Sequence, residues 1–131
     1  MEDRTNPEHY KAESVEIEGR HFEPIDLCEC YNFCLGNAVK YILRASHHRD
    51  GIKLNYEKAS WYLKRLLEQD ALGYTNLYPE GDNRYNVSQI LAVYRSKFPA
   101  LKLLFDTSGA VSSISIENTL NFLNKRISNE N

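Results

Sequence analysis

Four residues at helical spacing, Asn37, Lys40, Tyr41 and Arg44, are the part of this sequence best suited to chemistry. Placed at i, i+3, i+4 and i+7, they fall on one face of a helix within two turns. A guanidinium offers paired N–H donors that match phosphate oxygens, and an ammonium adds a point charge. The amide of Asn37 can read a base or ribose edge, and the phenol of Tyr41 can stack or donate. The row is a candidate phosphate- and nucleotide-binding stripe, although a solvated helix face has the same composition. Further along, Lys53 and Lys58 add cations. Trp61, one turn beyond Lys58, is either a stacking ring or a half-buried packing residue. Its neighbour Tyr62 falls with the apolar positions and reads as core.

Other candidate groups are weaker. Asp26 and Glu29, three apart, could hold Mg²⁺ beside phosphates, or serve a helix cap or salt bridge. Cys28, Cys30 and Cys34 give Cys-x-Cys-x₃-Cys, with His21, His47 and His48 as conceivable fourth ligands. One-residue spacing points two of these thiols apart on a helix, so buried reduced cysteines are expected and no zinc. Neither G-x-x-x-x-G-K-[ST] nor G-x-G-x-x-G occurs, so any phosphate cradle here is not a Gly-rich loop.

The elements that must position these residues read as mostly helical, in a single domain spanning 1–131. The chain is 42% hydrophobic and 26% charged, an ordinary globular balance. A net charge of −2 lacks the basic excess of a duplex-binding protein but leaves room for a local anion pocket. The odd number of closely spaced cysteines argues against a disulfide framework. No apolar run suits a signal peptide or a membrane span, which predicts a cytoplasmic protein with no membrane partner.

Residues 1–24 read as a polar N-terminal arm with a possible short strand near 14–18. Residues 25–69 read as a helical hairpin. Its first helical region is broken or bent at Gly36, with Leu35, Ala38, Val39, Ile42 and Ala45 facing inward. A basic loop over 46–54 turns at Asp50-Gly51. A second helix over 56–69, capped by Asn55, buries Ala59, Tyr62, Leu63, Leu66 and Leu67. Residues 70–131 form a C-terminal extension. It opens with an aromatic loop carrying Tyr74, Tyr78 and Tyr85 and continues into two further helices. The first has Asn86 and Gln89 at capping positions and is stopped or kinked by Pro99, with a short helical turn over 101–105. The second is capped by Ser115 and turns Ile116, Leu120, Leu123 and Ile127 inward, after a weak strand signal at 110–114.

Several segments, in order, carry a resemblance: Asn6-Pro7-Glu8-His9-Tyr10, Glu23-Pro24-Ile25-Asp26, Leu35 through Ala45 around Gly-Asn-Ala-Val-Lys-Tyr, and Lys58-Ala59-Ser60-Trp61-Tyr62-Leu63. Over about residues 5–68 the chain resembles a small bacteriophage family, long catalogued as a domain of unknown function, that includes an early nucleotide kinase of T-odd coliphages. The family pattern continues after Arg44-Ala45 with glycine and a basic pair, where this chain has Ser46, His47 and His48. Arg49 and Lys53 bring charge a little later.

The resemblance implies nucleotide handling in an infected host cell. Its first form is phosphoryl transfer to a nucleoside monophosphate, with ATP as donor, Mg²⁺ as a possible cofactor, and His9, Lys40 and Arg44 as catalytic residues. Asn37, Tyr41, Tyr10, Lys53, Lys58 and Trp61 would bind nucleotide or phosphate. Phosphoryl transfer asks chiefly for positioning and charge neutralisation, which scattered cations can supply. Alternative readings are a non-catalytic nucleotide or cyclic-nucleotide sponge that counters host defence, and an interaction protein binding a host enzyme. One small hairpin encloses little, so a homo-oligomer that completes the pocket is expected.

Overall fold

A computed structural model describes residues 13–45, 51–70 and 87–130, and most of these are helical. The expectation of a mostly α protein holds.

The chain opens with a two-stranded antiparallel hairpin, β1 (Val15–Ile17) and β2 (Arg20–Phe22), in which Val15 faces Phe22 and Ile17 faces Arg20. Its two-residue turn places both Glu18 (φ 52°) and Gly19 (φ 77°) in the left-handed region. That is the turn whose twist matches the flanking strands. The expected extended piece is therefore half of a hairpin. The weak strand signal at 110–114 leads to no strand among the described residues.

Helix α1 (Pro24–Cys28) starts at a proline, as suits a position whose N–H would go unused. Asp26 closes its first turn by accepting from the Glu23 backbone N–H at 2.7 Å. Of the two roles open to Asp26, the cap is therefore the one seen. Helix α2 (Phe33–Arg44) is capped by Asn32, whose Oδ1 accepts from Leu35 N at 2.8 Å. The break in this region thus lies at 29–32 and not at Gly36, which sits inside α2. A Cβ on Gly36 would stand 2.6 Å from the Cys28 carbonyl oxygen, so the glycine lets α1 pack against α2.

Helix α3 (Gly51–Asp70) begins more than a turn earlier than its periodicity suggested. Asn55 does not cap it. It is buried one turn inside and donates from Nδ2 to the Gly51 carbonyl at 2.7 Å. Ala59, Leu63 and Leu66 are fully buried, while Tyr62 and Leu67 are half-buried.

Helix α4 (Val87–Lys97) buries Val87, Ile90, Leu91 and Tyr94 as the apolar spacing required. Pro99 ends α4 by starting a new short helix, α5 (Pro99–Leu104). Helix α6 (Ser113–Asn129) is capped one turn before the expected site. Ser112 Oγ accepts from Ser115 N at 3.1 Å, and Ser115 Oγ in turn accepts from Ser112 N at 2.9 Å. Reciprocal capping of this kind satisfies two donors a helix start would leave orphaned.

The core lies where α3 packs between α2 and α6, with α5 against α6 and α4 against α5, α1 and β1. Leu27, Leu35, Ile42, Leu43, Leu101, Leu104, Phe105 and Ile116 are its largest fully buried apolar residues besides those of α3 and α4. Each such side chain contributes about 1.5–3 kcal/mol through removal from water. Cys28, Cys30 and Cys34 lie in the same core as free thiols, as expected. No helix among the described residues is long and apolar enough to cross a membrane.

Candidate functional site

The α2–α3 hairpin gathers most of the expected site residues around one ring. Tyr41 is half-buried on α2 and lies nearly parallel to Tyr62 of α3, with centroids 6.0 Å apart and planes at 13°. Lys40 places its Nζ 4.4 Å from the centre of the Tyr41 ring, Lys58 places its Nζ at 5.4 Å, and the Arg44 guanidinium carbon lies at 5.5 Å. Cations are held near an aromatic ring by its quadrupole, at about 0.5–1 kcal/mol each where exposed. All three also lie so close to one point that no two are more than about 11 Å apart, roughly one Debye length at moderate salt. Their charges therefore act together on an approaching anion.

Local sequence explains the convergence. Lys40, Tyr41 and Arg44 share the outward stripe of α2 because Ala38, Val39, Ile42 and Leu43 take the inward one. Lys58 and Trp61 flank that stripe because Ala59, Leu63 and Leu66 anchor α3 against the core. Asn37 belongs to the same stripe, but its Nδ2 donates to the Phe33 carbonyl at 2.7 Å, which leaves its oxygen as the outward-reading group. The charge of Lys40 is also felt in the core. Burial pushes the Cys28 thiol up to about 12, and Lys40 offsets part of that rise.

Trp61 departs from the half-buried reading: it is 62% exposed, with its ring edge-on to Tyr62 at 5.1 Å and 83°. Lys53 is not brought into the group. It lies exposed on the first turn of α3, five residues before Lys58, and so faces a different direction. His9 and Tyr10 lie outside the described residues, as do His47, His48, Arg49 and the tyrosines of the 70–85 loop. Among the described residues no three His, Cys, Asp or Glu side chains cluster as a metal-ion site. Glu29 is the exposed C-cap of α1.

Two aromatic residues belong to the site that sequence reasoning passed over. Tyr62 packs against the core as its spacing predicts, and it is also the ring that Tyr41, Phe33 and Trp61 all meet. Phe33, eight residues before Tyr41 on the same stripe, is 72% exposed and meets Tyr62 edge-on at 5.8 Å and 69°. Extending the Asn37–Arg44 stripe one turn backwards would have found it.

A separate cleft of about 240 Å³ lies between α4 and the 106–109 turn, lined in part by Tyr31, Ser88, Leu91 and Arg95. There Arg95 Nε donates to the Phe105 carbonyl at 3.0 Å. Asp106 accepts from Ser108 Oγ at 2.5 Å, Ala110 N at 2.9 Å and Ser108 N at 2.8 Å, which shapes the turn and holds its carboxyl below the usual range. None of the expected site residues lines this cleft.

Fold and site together define a small, mostly helical protein with a cationic, aromatic face on a helical hairpin. Residues 4–64 match the model of a protein family of unknown function, DUF3310, and this segment contains every described site residue. No curated protein and no solved structure matches the chain.

Proposed function

We propose that the protein handles nucleotides on the α2–α3 face, with phosphates held by Lys40, Arg44 and Lys58 and a base stacked on Trp61. The observation that carries this reading is the convergence of three cations from two helices on the Tyr41 ring. A phosphate placed among these cations is attracted by all three at once. Arg44 supplies fork-like donors and the two lysines supply point charges, a division of labour suited to a phosphate ester.

In its more specific form the reading is phosphoryl transfer from ATP to a nucleoside monophosphate without a P-loop. Lys40 and Arg44 would neutralise charge on the transferring group, and His9 of the N-terminal arm would orient the nucleotide. Storage without turnover uses the same cations and needs no acid or base.

One experiment separates these forms. The full-length chain is incubated with ATP, Mg²⁺ and each deoxynucleoside monophosphate, products are resolved by chromatography, and nucleotide affinity is measured by calorimetry. Lys40→Ala serves as the control. Transfer that falls at least tenfold in Lys40→Ala supports catalysis. Tight binding with intact ligand recovered supports storage. Neither transfer nor Lys40-dependent binding removes the nucleotide reading.

A further inference from the structure

The cleft between α4 and the 106–109 turn lies apart from the cationic face and shares none of its residues. We infer that it is a binding site for a free α-amino acid with an aliphatic side chain. This site stands or falls independently of the nucleotide reading.

The walls of the cleft are fixed from several sides. Arg95 Nε donates to the Phe105 carbonyl at 3.0 Å, and a Cβ on Gly109 would stand 3.4 Å from Leu91 Cδ2, so the turn rests on α4 at two points. Within the turn, Asp106 Oδ1 accepts from Ser108 N, Ser108 Oγ and Ala110 N. Tyr31 forms another wall, with its ring 5.3 Å from that of Phe105.

Three polar groups in these walls are left unused. Arg95 is half-buried, and among the described residues nothing accepts from its outer N–H groups. Every hydrogen bond the described residues make to the Asp106 carboxyl ends on Oδ1, which leaves Oδ2 spare. No ion pair joins Asp106 to Arg95, although the guanidinium is tied to the carbonyl of the residue next to it. The Tyr31 hydroxyl is buried with no hydrogen-bond partner. A polar group buried in this way opposes folding and calls for a reason.

These groups define the occupant. A simple anion drawn to Arg95 meets the ionised Asp106, and a simple amine drawn to Asp106 meets Arg95. A carboxylate and an ammonium on one carbon present each with its opposite. A guanidinium takes a carboxylate through parallel N–H donors, and the same carboxylate gives the Tyr31 hydroxyl an acceptor. Val87, Leu91 and Ala92 line the cleft beside these groups and suit an aliphatic side chain. The volume, about 240 Å³, is below the roughly 300–1,000 Å³ of sites for drug-sized ligands, which favours a single amino acid over a nucleotide.

The test is calorimetry on the full-length chain with leucine, isoleucine and valine, each beside its amide, which lacks the carboxylate, and its des-amino acid, which lacks the ammonium. At least one amino acid is expected to bind tenfold or more tighter than both of its analogues. Asp106→Asn keeps the oxygen that the turn's donors use but sets a donor where Oδ2 stood, and should cancel the preference over the des-amino acid. Arg95→Gln should cancel the preference over the amide. Tyr31→Phe keeps the ring and removes the unpartnered hydroxyl. The unligated Tm should hold or rise, while amino-acid affinity falls at least threefold. A tyrosine that only packs would move the Tm and leave affinity alone, and that result overturns the site. So does the absence of binding by all three amino acids at millimolar concentration, or analogues that bind as tightly as the amino acid. Affinity indifferent to Asp106→Asn, in a variant that circular dichroism shows to be folded, overturns it as well.

Discussion

Gly36 shows how a single residue can be read correctly as unusual and wrongly as to why. Glycine inside an apolar stripe suggests a helix break, and sequence offers no other clue. The structure gives a contact across space instead, since its missing Cβ is what admits the Cys28 carbonyl of α1. Alanine would gain about 1 kcal/mol of intrinsic helix preference at this position. It would also set its Cβ 2.6 Å from the Cys28 carbonyl oxygen, a backbone atom with no flexible side chain to yield. Overpacking of this kind costs about 1–3 kcal/mol and wins. Gly36→Ala is therefore expected to lower the urea midpoint of the full-length chain, and a raised midpoint would show that α1 does not rest on α2. The cationic stripe was legible at the same scale, because Lys40, Tyr41 and Arg44 lie close in sequence. Tyr62 follows the apolar spacing and does pack against the core, but spacing alone cannot show that part of its ring also reaches the surface.

Elements were legible where their apolar positions repeat, as in α2, α3, α4 and α6. The starts of α3 and α6 were not, because sequence shows the candidate caps without showing which one the chain uses, whereas α4 begins at Val87, right after its expected cap position. Asn55 and Ser115 each have the right chemistry for a cap, yet the helices begin at Gly51 and Ser113. The β2 strand escaped notice because three residues, Arg20-His21-Phe22, carry almost no alternation. One tie between elements could not be read at all: the Tyr94 hydroxyl of α4 donates to the Glu13 carbonyl at 2.6 Å, across 81 residues. It fixes the chain at Glu13, just before β1. Tyr94→Phe keeps the buried ring and leaves the carbonyl without this donor, at a cost of about 1–2 kcal/mol. The expected signature is a lower urea midpoint together with faster proteolytic clipping before β1. Unchanged clipping would mean the arm is held by other contacts.

At the scale of the molecule, several buried acids couple the core to alkaline pH. Burial raises the Cys28 thiol from its ordinary 9.0 to about 12, and it also raises Cys30, Cys34, Tyr31 and Tyr94. The folded chain therefore keeps protons at pH values where the unfolded chain releases them. Stability from this source is complete below about pH 9 and is lost as pH rises towards 12. Thermal melts followed by circular dichroism should give a Tm that falls steadily above pH 9. A Tm unchanged through pH 11 would mean these groups are hydrated in solution.

Helix α3 has two flanks: one rests on α2 and the other on α6, which lies wholly beyond the family-matched residues 4–64. The matched segment thus supplies α2 and most of α3, two of three helices packed side by side, and Leu63 and Leu66, at or just past its edge, are fully buried. A relative that kept this segment and dispensed with anything like α6 would have to shelter such side chains by other means, whether with unrelated sequence or by pairing with itself. The cationic, aromatic face can thus stay constant while the scaffold behind it is exchanged.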